Sequence, residues 1–104
     1  MKISEREKIK KIFDACKEIS KLTGTSAERK ARRQQFNVEL GERIRQARET
    51  LGLSRHELAL AVELSVANLG HFERGEREIS PWTLVQIAFM LDKPVDWFLG
   101  LQDK

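Results

Sequence analysis

Between Leu53 and Gly75 the chain reads LSRHELALAVELSVANLGHFERG, and this stretch leaves little freedom in how it can fold. Ser54 followed three residues later by Glu57 is a capping box, in which the hydroxyl accepts one free amide and the carboxylate reaches back to another. Leu58, Ala59 and Val62 then mark one apolar face at helical spacing. Ser65 is a second N-cap candidate, and Leu69 and Phe72 repeat the inward face before Gly75 stops the helix. Two helices of about eight to ten residues with so short a joint cannot lie antiparallel and must cross at a steep angle.

The flanking segments are helical too. Ser4 and Glu7 form a capping box that opens a helix expected to run to Leu22, with Gly24 as its left-handed stop. Its apolar stripe is Ile9, Ile12, Phe13, Cys16 and Ile19, with mostly lysine and glutamate elsewhere, and such a helix must bury its stripe somewhere. Thr25 and Glu28 signal the next start. From there Phe36, Leu40, Ile44, Ala47 and Leu51 continue one stripe, either on a single helix over about 26–51 or on a basic helix that breaks near Asn37. Ser80 and Pro81 open a further helix, because proline at the first helical position loses no hydrogen bond. Leu84, Ile87, Ala88 and Leu91 are its expected core set, and Pro94 opens a short last helix holding Trp97 and Leu99. No β-strand pattern appears. The expected class is all-α, with residues 1–35 as a basic helical extension and 36–104 as the main domain.

Charge divides the chain unevenly. The net +3 of the 104 residues arises from eleven Lys/Arg against five Asp/Glu over 1–36, a net +6, and eight against eleven over 37–104, a net −3. Any affinity for phosphate must therefore come from local arginine clusters or from the N-terminal segment. The single cysteine, Cys16, makes no intrachain disulfide and suits a reducing cytoplasm. No apolar run approaches the 18 residues or so of a membrane span, and no apolar segment of a secretory signal follows Lys2. The two histidines, His56 and His71, stand on different helices, and no metal-ligand spacing, nucleophile motif or phosphate-cradling glycine loop occurs. The reading is of a binding protein, not an enzyme, with neither metal nor cofactor.

Residues 40–99 resemble the Cro/CI (XRE-type, lambda-repressor-like) helix-turn-helix family. The words that carry the resemblance are LGERIRQARETLGLS at 40–54, ELALAV at 57–62, FERG at 72–75 and LVQIAFMLDKPVDWFL at 84–99. The resemblance implies a five-helix bundle, here with an extra N-terminal amphipathic helix, whose third family helix enters the major groove of DNA. It also implies that bases are read by Val66, Ala67, Gly70 and His71, with Asn68 adjacent. Val66 and Ala67 can only pack on thymine methyl groups, which leaves His71 as the main polar reader. Gly70 would let the helix backbone approach a partner closely.

Arg55 stands where family members often place a glutamine against a phosphate, and Arg43, Arg74 and Arg77 are candidates to flank the same groove. Arg29, Lys30, Arg32 and Arg33 form the densest positive cluster, suited to phosphate contact without sequence information. Arg48 shares the inward edge of its helix with Ile44 and Leu51, and the resemblance pairs it with Glu73 as a structural ion pair. Glu63 occupies the corner where the family commonly has glycine: either it is left-handed, at a cost of about 1–2 kcal/mol for a non-glycine residue, or the turn is built slightly differently here.

Beyond its core set the helix after Pro81 carries Trp82, Val85, Phe89 and Met90, of which the first three form an adjoining apolar stripe. It and the Ile9–Ile19 stripe are expected to be docking surfaces, either within one chain or across a two-fold dimer. Two readings of function remain open here. One is a bacterial or phage transcriptional regulator, of the repressor kind, that binds double-stranded DNA as a homodimer. The other is a protein-interaction module on the same fold, an antitoxin or accessory subunit, favoured by the sparse reading face.

Overall fold

A computed structural model of the chain describes residues 4–101, apart from the side chains of Cys16 and of residues 18–23. Its elements in order are α1 (Glu5–Thr23), α2 (Ser26–Thr50), α3 (Arg55–Ala61), α4 (Val66–Glu73), α5 (Pro81–Met90) and α6 (Val95–Leu99). Among the described residues there is no strand. The chain divides into two units, Met1–Arg32 and Arg33–Lys104.

In the first unit, the Ser4 hydroxyl accepts the Glu7 amide at 3.2 Å, and Gly24 turns the chain with φ 84°. The start of α2 follows from Thr25, whose hydroxyl accepts the Glu28 amide at 3.2 Å. Ile9, Ile12 and Phe13 are all more than 60% exposed, and the Lys17 ammonium lies 5.0 Å from the centre of the Phe13 ring. Cys16 and Ile19, the other two members of that stripe, have side chains outside the described residues.

Of the two expectations for 26–51, α2 follows the first, one unbroken helix over Ser26–Thr50. The second unit is built around its C-terminal half. Leu40, Ile44 and Ala47 meet Leu58, Ala59 and Val62 of α3, Leu69 of α4, the α5 set Leu84, Ile87, Ala88 and Leu91, and Phe98 of α6. The outer members of the α2 stripe, Phe36 and Leu51, are instead exposed. The last helix holds Trp97 and Leu99, both partly buried against the core, and adds Phe98, which is fully buried. Trp97 stands edge-on to Phe98, and the Lys93 ammonium covers its ring at 4.6 Å.

Each of the helices α3, α4 and α5 starts on a serine. Ser54, Ser65 and Ser80 accept the amides of Glu57, Asn68 and Thr83 at 3.0, 3.0 and 3.2 Å. Glu57 completes the capping box at Ser54, and the Ser54 amide it accepts holds its carboxyl below the usual range. The helix ends are equally regular. Residues Gly52, Glu63, Gly75, Asp92 and Gly100 all have φ between 55° and 74°. In each case the next amide bonds to the carbonyl five residues behind it, as Leu64 does to Ala59 at 2.8 Å, which is the Schellman closure. Glu63 is thus left-handed, and Asp92 repeats the device between α5 and α6.

Gly41 and Gly75 set how closely α2 and α4 approach. A Cβ on Gly41 would overlap the Phe72 carbonyl and lie 2.6 Å from that of Glu73, and one on Gly75 would lie 2.6 Å from Val38 Cα. At each of these contacts a glycine on one side lets the backbone of the other, Phe72 and Glu73 or Val38, come this close.

Candidate nucleic-acid interface

Helix α4 turns Leu69, Phe72 and the Glu73 carboxylate inward, so its outer side carries Ala67, His71 and Arg74, with Val66 and Asn68 at its margins. Glu73 is 8% exposed and Arg48 7%, and they meet in a two-pronged pair, Nε to Oε2 at 2.7 Å and Nη2 to Oε1 at 3.1 Å. A third donor, Arg48 Nη1, reaches the Leu53 carbonyl at 2.8 Å, so one guanidinium ties α2 to α4 and to the α3 approach. This pair fixes the roll of α4 and hence which residues face out.

The cationic flank is made by Arg55 at the start of α3 and Arg74 at the end of α4. Arg55 Nε stands 3.8 Å from Glu73 Oε1 with half its side chain exposed. Gly70, expected to offer bare backbone, is buried instead: a Cβ there would meet Arg74 Nη1 at 3.1 Å and Arg55 Nη1 at 3.5 Å. Both guanidiniums lie over it, and the absent side chain makes the room they occupy. Together with Arg45 they line a cleft of about 320 Å³ whose walls include Glu42 and Val38. Arg45 was not among the sequence candidates, and it also pairs with Glu42, whose carboxyl its hydrogen bond lowers below the usual range.

Two of the polar readers are held by neighbours. The Asn68 side-chain carbonyl accepts from Arg77 Nη1 at 2.9 Å, a contact that does not use its amide group. His71 Nδ1 lies 2.8 Å from Glu76 Oε1, and the same oxygen accepts from Arg74 Nε at 3.0 Å. These bonds, that from His71 first, hold the Glu76 carboxyl below its ordinary range.

Arg43 does not belong to this face. Its Nη1 donates to the Phe98 carbonyl at 3.2 Å, and its guanidinium lies over Gly100, so it caps one carbonyl at the end of α6. Its place on α2, one residue before Ile44, turns it toward α6. Of the basic cluster, Arg33 forms an exposed pair with Glu78 at 3.4 Å, Arg29 donates to the Gly24 carbonyl at 2.8 Å, and Lys30 and Arg32 are exposed. The spacing of Val95, Phe98 and Leu99 was a signal for Phe98 that Trp97 obscured. Nothing in the sequence pointed to Glu76.

A helix-turn-helix profile matches residues 44–98, from the middle of α2 to the end of α6. The chain belongs to the helix-turn-helix family. Within this family it is 36% identical over 64 residues to an uncharacterized transcriptional regulator in the ATPase CF(0) region of Rhodospirillum rubrum, an alignment covering 62% of this chain and 59% of that protein. Its fold is similar to that of the restriction-modification controller protein C.AhdI from Aeromonas hydrophila, with 33% identity and a TM-score of 0.56 over 59% of this chain and 92% of that one. The clp gene regulator ClgR from Corynebacterium glutamicum gives 30% identity and a TM-score of 0.61 over 64% and 70% of the two chains. The chain thus spans less than two thirds of the length of the curated regulator it resembles. The helix-turn-helix itself is α3 and α4, with Glu63 at the corner.

Proposed function

We propose that the chain is a sequence-specific DNA-binding transcriptional regulator that inserts α4 into the major groove. The observation that carries this reading is the outer side of α4, where Ala67 and His71 are flanked by the guanidiniums of Arg55 and Arg74 on a helix-turn-helix frame. Ala67 and Val66 supply apolar contact with thymine methyl groups, and His71 and the Asn68 amide supply polar readout. Arg55, Arg74, Arg77 and Arg45 hold the phosphates, with Arg29, Lys30, Arg32 and Arg33 of the basic extension adding affinity without sequence information. Regulators of known structure similar to this chain support the assignment.

The working form in this reading is a cytoplasmic homodimer on a two-fold operator, because two copies of α4 about 34 Å apart meet successive major grooves. Trp82, Val85 and Phe89 of α5, which are 70, 48 and 83% exposed, supply the apolar surface for it. The same surface favours the second reading, a protein-interaction module whose partner covers α5.

Selection of bound duplexes from a random library, followed by salt titration, separates the two. A regulator yields a two-fold motif bound on the order of a thousandfold or more above random DNA, with affinity falling steeply as salt rises. Equal, weak binding to every duplex favours the interaction module.

A further inference from the structure

The stop of α4 does more than end the helix. Gly75 turns the backbone with φ 74°, and the Glu76 amide returns to the His71 carbonyl at 2.9 Å. That closure carries the Glu76 side chain back over the last turn, where one carboxylate oxygen meets both His71 Nδ1 at 2.8 Å and Arg74 Nε at 3.0 Å. Arg74 Nη2 also lies 3.4 Å from the same imidazole nitrogen, but a guanidinium can only donate. The two contacts therefore demand opposite states of Nδ1. The shorter one, to a carboxylate, decides: Nδ1 carries the proton, since a lone pair at 2.8 Å from a carboxylate would be repelled.

We propose that Glu76 is a positioning residue for DNA recognition, fixing His71 as a one-sided reader and offsetting part of the charge that Arg74 brings to the phosphates. It rests on the reading of α4 as the helix that enters the groove. With Nδ1 committed, Nε2 is the ring nitrogen left for a base, and in the neutral ring it is an acceptor. The major-groove donors it can meet are the exocyclic amines of adenine and cytosine; guanine and thymine present acceptors there. Glu76 also places a negative charge beside the phosphate path. Its presence lowers general affinity and leaves a larger share of binding to the bases.

Two substitutions at this exposed position separate the effects. Glu76→Gln keeps an acceptor for Nδ1 but removes the charge; Glu76→Ala removes both. In both variants affinity for random duplex is expected to rise about three- to tenfold, with a salt slope steeper by about 0.9 for each additional phosphate neutralised. Only Glu76→Ala is expected to lose base preference, by about fivefold at the base His71 reads. Nitrogen NMR of the neutral His71 ring, recorded without DNA, is expected to show the Nδ1–H form in the wild type and a shift toward Nε2–H in Glu76→Ala. An Nε2–H ring in the wild type overturns the proposal, as does unchanged base preference in the alanine variant. A wild-type chain with no preference among duplexes overturns the regulator reading instead, and the ring tautomer still judges the Glu76 contact.

Discussion

Arg48 shows how much a single side chain can decide. Its guanidinium satisfies three separate acceptor atoms, two on Glu73 and one on Leu53, with 7% of its surface left to water. A buried charge without its partner is strongly destabilising, whereas replacing both partners by apolar groups is often tolerated. Arg48→Met is therefore expected to lower stability by about 3–5 kcal/mol, read as a shift of the urea midpoint at constant slope. Adding Glu73→Leu should recover most of that loss. A single variant within about 1 kcal/mol of the wild type, the scale of an exposed pair, would mean that water reaches the Arg48–Glu73 pair in solution. Arg33 and Glu78, paired at the surface, belong to that weaker class and carry little stability.

At the scale of elements, the repeated unit is a capped start and a left-handed stop. α3, α4 and α5 share both ends of the pattern, whereas α6 has no side-chain cap at Pro94; at 7, 8, 10 and 5 residues all four are too short to persist alone and rely on the core they pack against. Five stops use the same closure, but only three of them are glycine. Glu63 and Asp92 hold φ values of 58° and 55°, and the glutamate lacks the local bonding that makes aspartate tolerable there. Glu63→Gly is thus expected to stabilise the fold by about 1 kcal/mol, after the added entropy of the unfolded chain is set against the relief of strain. The corresponding rise in melting temperature is about 4–8 °C for a domain of this size. A lower melting temperature would mean that the corner is held by contacts of the Glu63 side chain. Gly41 is the opposite case: its φ is ordinary, and it is needed because the end of α4 lies against it.

For the molecule as a whole, the unexplained quantity is apolar surface. Trp82 and Phe89 are 70 and 83% exposed on α5, a helix whose other side is buried. An aromatic left in water on this scale costs a few kcal/mol relative to burial, enough to favour association. If the proposed homodimer uses this face, Phe89→Asp is expected to convert the dimer to a monomer by light scattering and to weaken binding to a two-fold operator far more than to random duplex. An unchanged mass places the contact elsewhere. Among the described residues, no helix is long and apolar enough to cross a membrane and no cluster of three or more His, Cys, Asp or Glu is placed to hold a metal ion.

Local chemistry was enough to locate the helices except over 26–51, where it left one helix or two open and the fold shows one. Serine caps, glycine stops and apolar spacing act within about a turn, so Ser54, Ser65, Ser80 and Gly75 could be read without knowing what they pack against. The left-handed Glu63 and the Arg48–Glu73 partnership came from the family resemblance. The fold alone decided the rest. Arg43 and Arg55 are alike in sequence, yet one caps α6 and the other stands over Gly70. Glu76 reaches His71 only because the Gly75 turn brings the chain back. Which arginine is free for a phosphate, and which nitrogen of His71 is free for a base, depends on partners that meet across turns and between helices. A linear pattern specifies where a helix begins and ends; it does not record which charges fold back to meet.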